Sequence, residues 1–163
     1  MERLRLSLPL NEGLVKNLRA GDEVLLSGRL LTARDAAHKR MVEALSPAPP
    51  GRVVGAAGPT TSGRMDPYTP ALLERGLRGM IGKGRRSPEV VAALLRYRGI
   101  YFVTYGGAGA LLSRAVKAAR VLAYADLGPE AIHEFIVECF PAVVANDAYG
   151  GDIFENLSTL PEC

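Results

Sequence analysis

The residues best suited to chemistry lie in the run Gly58-Pro59-Thr60-Thr61-Ser62-Gly63-Arg64-Met65-Asp66-Pro67-Tyr68-Thr69-Pro70. Two adjacent threonines, an arginine and an aspartate stand between proline-bounded turns, and Gly63 leaves the backbone bare among them. A packed core has no use for such a string. Hydroxyls and a guanidinium on a loop suit a carboxylate or phosphate ligand. Lys83 lies between Gly82 and Gly84. Glycine on both sides lets the backbone turn sharply and a ligand approach closely, whereas lysine in a buried strand would carry a desolvation penalty. Arg34 opens Arg34-Asp35-Ala36-Ala37-His38. In a helix Arg34 and His38 share a face at i and i+4, and Asp35 can pair with an arginine or support the helix start. A plainer account stands beside each: Arg34 and His38 as a solvated helix face, Arg64 as a surface arginine paired with Asp66. Spacing alone does not choose between them.

The elements that must hold these groups alternate between strand and helix. Arg3 to Leu8 alternates like a half-buried strand, Asn11 to Arg19 has helical spacing ending at Gly21, and Val24 to Thr32 is a second strand. Ala33 to Ala44 is a helix carrying Arg34, Asp35 and His38. Ser46-Pro47-Ala48-Pro49-Pro50-Gly51 is a breaker, followed by a short strand around Arg52 to Val54. Beyond the threonine loop, Pro70 to Arg75 is a helix stopped by Gly76, and Gly79-Met80-Ile81-Gly82-Lys83-Gly84 is a short strand running into a glycine-flanked lysine. Ser87-Pro88-Glu89 starts a helix to Tyr97, with Ser87 as cap and Pro88 at the first helical position. Ile100 to Thr104 is β-rich, and Gly106-Gly107-Ala108-Gly109 leads into a helix from Ala110. Val116 to Tyr124, Glu134 to Phe140 and Ala142 to Asn146 are expected as three later strands. The pattern predicts one α/β domain over residues 1–163 with a mixed sheet.

With 163 residues, 48% of them hydrophobic and 23% charged, the chain reads as soluble and globular. The basic residues behind the net charge of +3 are scattered rather than blocked, which argues against nucleic acid. Arginine outnumbers lysine, and its planar fork suits anionic small molecules. Met1 to Leu10 alternates charged and apolar residues instead of forming a leader, and no run has membrane-spanning length, so a cytoplasmic protein without membrane contact is expected. Two cysteines, Cys139 and Cys163, are too few for a disulfide framework or for the thiolates of an iron–sulfur cluster. Cys139, in an apolar run, is expected to be a buried small hydrophobe, and no metal is expected in this chain.

Competing motifs fail on spacing. Gly82-Lys83 partly matches a P-loop, but Leu77 stands where its first glycine belongs and Gly84 replaces the Ser or Thr. Gly107-x-Gly109 is followed by Leu112 where a dinucleotide fingerprint needs a small residue, with no well-placed acidic partner downstream. Two histidines make no zinc site by themselves.

Several motifs in a fixed order resemble the β-subunit of iron–sulfur hydro-lyases, the class I fumarases and L(+)-tartrate dehydratases. They are Leu26-Ser27-Gly28 through Arg34-Asp35-x-x-His38, the Gly58 to Asp66 run, Gly79-Met80-Ile81-Gly82-Lys83-Gly84 and Phe140-Pro141-Ala142-Val143-Val144. The similarity extends from Asp22 to Asp147. It implies a swivelling β/β/α domain that closes over an α-subunit bearing a [4Fe–4S] cluster. The pair, a hetero-oligomer, would add water to a four-carbon dicarboxylate or remove it. The resemblance further implies Arg34, Arg64 and Lys83 as ligands of substrate carboxylates or hydroxyl. It implies Thr60 and Thr61 at the reacting carbon, Thr60 being the family's candidate proton acceptor. Asp35, His38 and Asp66 match as groups that orient the others. Gly63-Arg64-Met65-Asp66 resembles the fumarases more than the tartrate dehydratases, so fumarate hydration is the expected activity. The alternatives are L(+)-tartrate dehydration, methylfumarate hydration, or an anion-binding domain without catalysis.

The sequence departs from the family twice. It is shorter between Met41 and Gly58, where an apolar strand and a Gly-Pro loop are expected, and Cys139 replaces the usual acidic residue before Phe140-Pro141.

Overall fold

A computed structural model describes residues 3–44, 62–104 and 112–157. In chain order the elements are β1 (Leu4–Ser7), α1 (Glu12–Asn17), β2 (Glu23–Thr32), α2 (Asp35–Ala44), a 3-10 turn (Ser62–Met65), α3 (Thr69–Glu74), β3 (Gly79–Gly82), α4 (Pro88–Tyr97), β4 (Ile100–Val103), β5 (Val116–Ala123), a second 3-10 segment (Ala125–Glu130), β6 (Ile132–Asn146) and α5 (Ile153–Leu157). The strands form one six-stranded sheet in the order β1-β2-β6-β4-β3, with β5 also paired to β6. Parallel pairs (β1 with β2, β3 with β4) and antiparallel pairs through β6 make it a mixed α/β sheet, as the alternation of elements predicts.

The expected pair of strands after residue 132 is a single strand. β6 runs for 15 residues and stays on β2 along one edge, while its other edge changes partner. Pairing with β5 ends at Val137, and pairing with β4 begins at Val143. Pro141, which has no N–H to donate, falls in the gap between those partners, where a proline does least harm to a ladder. Cys139 lies in the same gap with φ 51 and is half-buried rather than buried. Its amide donates to Ser27 Oγ at 3.0 Å, and Arg5 Nη1 lies 3.6 Å from its sulfur.

Both faces of the sheet are covered. On one, Leu6, Leu26, Phe102, Phe140 and Val144 pack with Val15 of α1 and with Leu18 beyond it. On the other, Met80, Tyr101 and Ala145 pack against Ala37 and Met41 of α2, Leu72 and Leu73 of α3, and Val90 and Leu94 of α4. The start of α4 follows its sequence signals: Ser87 Oγ accepts from the Val90 amide and Pro88 opens the helix. The segments Ser46–Gly51, Arg52–Val54 and Gly106–Ala110, together with Thr60, Thr61 and Cys163, lie outside the described residues.

Candidate active site

The site is built where the 3-10 turn meets the end of β3. The Ser62 amide donates to the Lys83 carbonyl at 3.3 Å, and the Lys83 amide donates to Ser62 Oγ at 3.2 Å. Gly82 makes this approach possible, because a Cβ there would stand 1.8 Å from Ser62 Oγ. Gly84, at φ +81, turns the chain away immediately afterwards. The two glycines therefore admit the neighbouring turn and present Lys83 on a bend. Lys83 itself is exposed, not a buried-strand lysine, because β3 ends at Gly82.

Arg64 lies in the middle of the 3-10 turn and is also exposed. It does not pair with Asp66. Among the described residues, neither the Arg64 guanidinium nor the Lys83 ammonium takes a hydrogen-bonding or ionic partner. Arg34 stands just before α2, whose helix packs against the same 3-10 turn and against α3. Its guanidinium is half-exposed, 3.8 Å from Glu130. The three cations of the sequence motifs thus sit on segments joined through the 3-10 turn, which packs against α2 and hydrogen-bonds the Lys83 backbone.

The expected orienting groups lie beneath. His38 is buried and its Nδ1 is 2.9 Å from the Arg34 carbonyl, which can only accept, so Nδ1 carries the proton. Burial holds the imidazole below its ordinary pKa, and the nearby Arg86 charge lowers it further, against the opposing effects of the Arg34 carbonyl and Asp35. A neutral His38 therefore pins the residue that carries the Arg34 side chain. Asp35 occupies the first turn of α2, where a carboxylate favours the helix dipole. Asp66 is nearly buried and accepts from two donors, Arg86 Nε at 2.7 Å and the Ser87 amide at 2.8 Å.

Sequence reasoning passed over the group that ties these parts together. Arg86 is buried, with its side chain 2% exposed. Beyond Asp66 it donates to Thr69 Oγ1 at 2.7 Å and lies 5.1 Å from the centroid of the Tyr101 ring. The Tyr101 hydroxyl reaches Ser62 Oγ at 3.0 Å and the Gly84 carbonyl at 2.9 Å. Burial raises the Tyr101 pKa against the opposing influence of Ser62 and Arg86, so the phenol keeps its proton. Nothing in Arg85-Arg86-Ser87 separates its two arginines by type. Only the fold turns Arg85 out towards Phe154, whose carbonyl it meets at 2.5 Å, and Arg86 in.

Among the described residues, no grouping of three or more His, Cys, Asp or Glu side chains could hold a metal ion. With two cysteines in the whole sequence, the residues of this chain do not fit an iron–sulfur cluster. Nor is any helix among the described residues long and apolar enough to cross a membrane.

Comparison with known proteins agrees with these motifs. The family described as "Fumarase C-terminus" matches residues 1–51 and 46–157, two pieces that overlap at residues 46–51. Fumarate hydratase 1, mitochondrial, of Leishmania major is 38% identical over 154 residues, covering 81% of this chain and 28% of that protein. The class I, aerobic fumarate hydratase of Escherichia coli (strain K12) is 32% identical over 185 residues, covering 99% of this chain and 34% of that one. The chain spans about a third of the length of these fumarate hydratases. A provisionally named L(+)-tartrate dehydratase subunit beta of Methanocaldococcus jannaschii is 32% identical over 170 residues, covering 88% of this chain and 87% of that subunit. With its motifs in order and the family matched along nearly its whole length, the chain belongs to the Fumarase C-terminus family.

Proposed function

We propose that this chain is the β-type half of a fumarate hydratase, which interconverts fumarate and (S)-malate together with an α-type subunit carrying a [4Fe–4S] cluster. The observation that carries the reading is the pair Arg64 and Lys83, two cations without partners among the described residues, on segments joined through Ser62. Exposed cations held on a fixed backbone suit a dicarboxylate that must be gripped at both ends. Kinship with the fumarate hydratases supplies the reaction class, and the similarity to a relative named as a tartrate dehydratase subunit beta supports a two-chain enzyme.

In this reading Arg34, Arg64 and Lys83 bind the substrate carboxylates and hydroxyl. Their charge stabilises the negative charge that grows as the proton beside the carboxylate leaves. Thr60 accepts that proton and Thr61 lies at the same carbon. An alcohol is a poor base at its ordinary pKa, so a neighbouring cation has to favour the alkoxide. Asp35, His38 and Asp66 hold the cations in place. Assistance to the departing hydroxyl comes from the partner, since this chain's residues do not fit the cluster.

The test is assembly. Alone, under anaerobic conditions with iron and sulfide supplied, the chain should be colourless and inactive towards malate and fumarate. Mixed with a cluster-bearing α-type subunit of this family, it should form an oxygen-sensitive hydratase. Stoichiometric iron or substantial turnover in the isolated chain would falsify the divided site. Turnover of tartrate or methylfumarate in place of fumarate would move the assignment within the family. No turnover of any of them in a stable complex would leave a non-catalytic anion-binding domain.

A further inference from the structure

Buried arginines are rare because a guanidinium loses its hydration on burial, and the loss is recovered only when its donors are satisfied. Arg86 meets that condition with partners spread over separate segments. Asp66 follows the 3-10 turn, Thr69 is the first residue of α3, Met80 Sδ lies in β3 at 3.5 Å, and Tyr101 belongs to β4. Three of these partners, Asp66, Thr69 and Tyr101, lead back to the turn that carries Arg64, the Asp66 amide donating to the Gly63 carbonyl at 3.3 Å. Thr69 Oγ1, while accepting from Arg86, donates to the Met65 carbonyl at 2.8 Å, closing the far end of the turn. Tyr101 holds Ser62, which opens the turn, and holds Gly84 beyond Lys83. Asp66 bridges Arg86 to the Ser87 amide.

We propose that Arg86 is a positioning residue that clamps the Arg64 turn to the Lys83 bend and so sets the separation of the two cations. The proposal rests on the substrate-binding roles assigned above to Arg64 and Lys83. An apolar residue in this pocket could serve stability as well, because buried ion pairs are often no better than packed hydrocarbon. What hydrocarbon cannot do is fix Asp66, Thr69 and the Tyr101 ring from one planar group. A lysine cannot either, since an ammonium on a flexible stem lacks the fork geometry. Arg86 touches no substrate in this arrangement and acts through the two cations.

The experiment has two arms. In the assembled enzyme, Arg86→Lys should lower kcat/KM for fumarate about 10- to 100-fold, the scale of a misplacement on the order of an ångström. Combined with Arg64→Lys, it should lose less than the product of the two single effects, because both act on the same contact. Arg120→Gln, a charge change remote from this cluster, should leave kcat/KM unchanged. In the full chain alone, hydrogen exchange at the amides of Ser62, Lys83 and Ser87 should accelerate about tenfold in Arg86→Lys, with the amides of Leu8 and Gly21 unmoved. A purely structural role would accelerate all five sites together. Thr69→Val, which removes one hydroxyl and keeps the shape, gives the same pattern more weakly and serves if Arg86→Lys does not fold. Normal turnover in Arg86→Lys beside slow turnover in Arg64→Lys overturns the clamp alone. Normal turnover in both overturns the substrate reading. Uniform exchange overturns the clamp whatever the substrate.

Discussion

Two arginine–carboxylate clusters use the same chemistry in opposite ways. At the end of β3, Asp66 meets the one guanidinium of Arg86, with side chains 13% and 2% exposed. Across β2, β6 and β5, Glu134 lies 6% exposed beneath two arginines that are themselves open to solvent, Arg29 at 65% and Arg120 at 68%. Arg120 stands directly opposite Glu134 on the neighbouring strand, and Arg29 approaches from the diagonal position. The first cluster is buried, and each ion has a single partner of opposite charge. The second is wet on its cationic side and redundant. A buried, singly paired cluster fixes geometry, and a redundant one tolerates change.

The largest effect should come from Asp66→Ala. It strands a buried guanidinium and should remove about 3–5 kcal/mol of stability. For a domain of this size that is a fall in Tm on the order of 10 °C. Urea unfolding and a thermal melt check it, and a loss no greater than that of Glu134→Gln would erase the contrast. Next comes Arg64→Lys, where a cation without a partner among the described residues leaves none of them stranded. Turnover in the assembled enzyme should fall about 10- to 100-fold while Tm stays at the wild-type value, because lysine loses the two-point grip. Near-normal activity would return Arg64 to the status of a surface arginine. Thr60→Val should likewise depress kcat with little change in Tm, and a large fall in Tm with activity per folded molecule intact would mark Thr60 as structural.

Acid should separate His38 from the paired carboxylates Glu134 and Asp147 by pH window. The His38 imidazole is held below its ordinary value of 6.5, so the unfolded chain binds that proton first. Stability from His38 is therefore complete above about 6.5 and declines as pH falls below it, until the folded form also protonates. Arg120, and then Arg29, keep the Glu134 carboxyl below its ordinary 4.5 against the opposing effect of burial. Asp147 is also held below its ordinary 3.8: burial opposes this, but the Ala20, Gly151 and Tyr149 amides more than offset it. Both carboxylates contribute above their unfolded values and lose that contribution as pH falls through the folded ones. Denaturation midpoints between pH 8 and pH 3 should show an early decline that His38→Gln removes and a later one that it leaves. The smallest effect belongs to Arg120→Gln, whose carboxylate partner keeps Arg29. Its melting curve should lie within error of the wild type.

Strand-helix alternation, the Ser87-Pro88 start of α4 and the glycines beside Lys83 were legible because local geometry and short-range sterics act within a few residues. Arg34, Arg64, Lys83, Asp35, His38 and Asp66 stood out as charged or polar groups beside turns and a helix start, and their roles toward an anion belong to the proposal. The sequence did not show whether Asp66 would turn to Arg64, two positions away, or to Arg86 on another segment. The merging of two expected strands into β6 was equally hidden, since Pro141 reads as a break until β5 and β4 are seen to leave it a gap. Adjacent arginines of identical chemistry, Arg85 outside and Arg86 within, make the division plain. Sequence by itself determined which charges the chain carries and on which kind of element. Tertiary structure decided which of them would lose water, because burial depends on what packs from far along the chain, and it made Arg86 the buried partner of Asp66 while Arg64 and Lys83 stayed exposed.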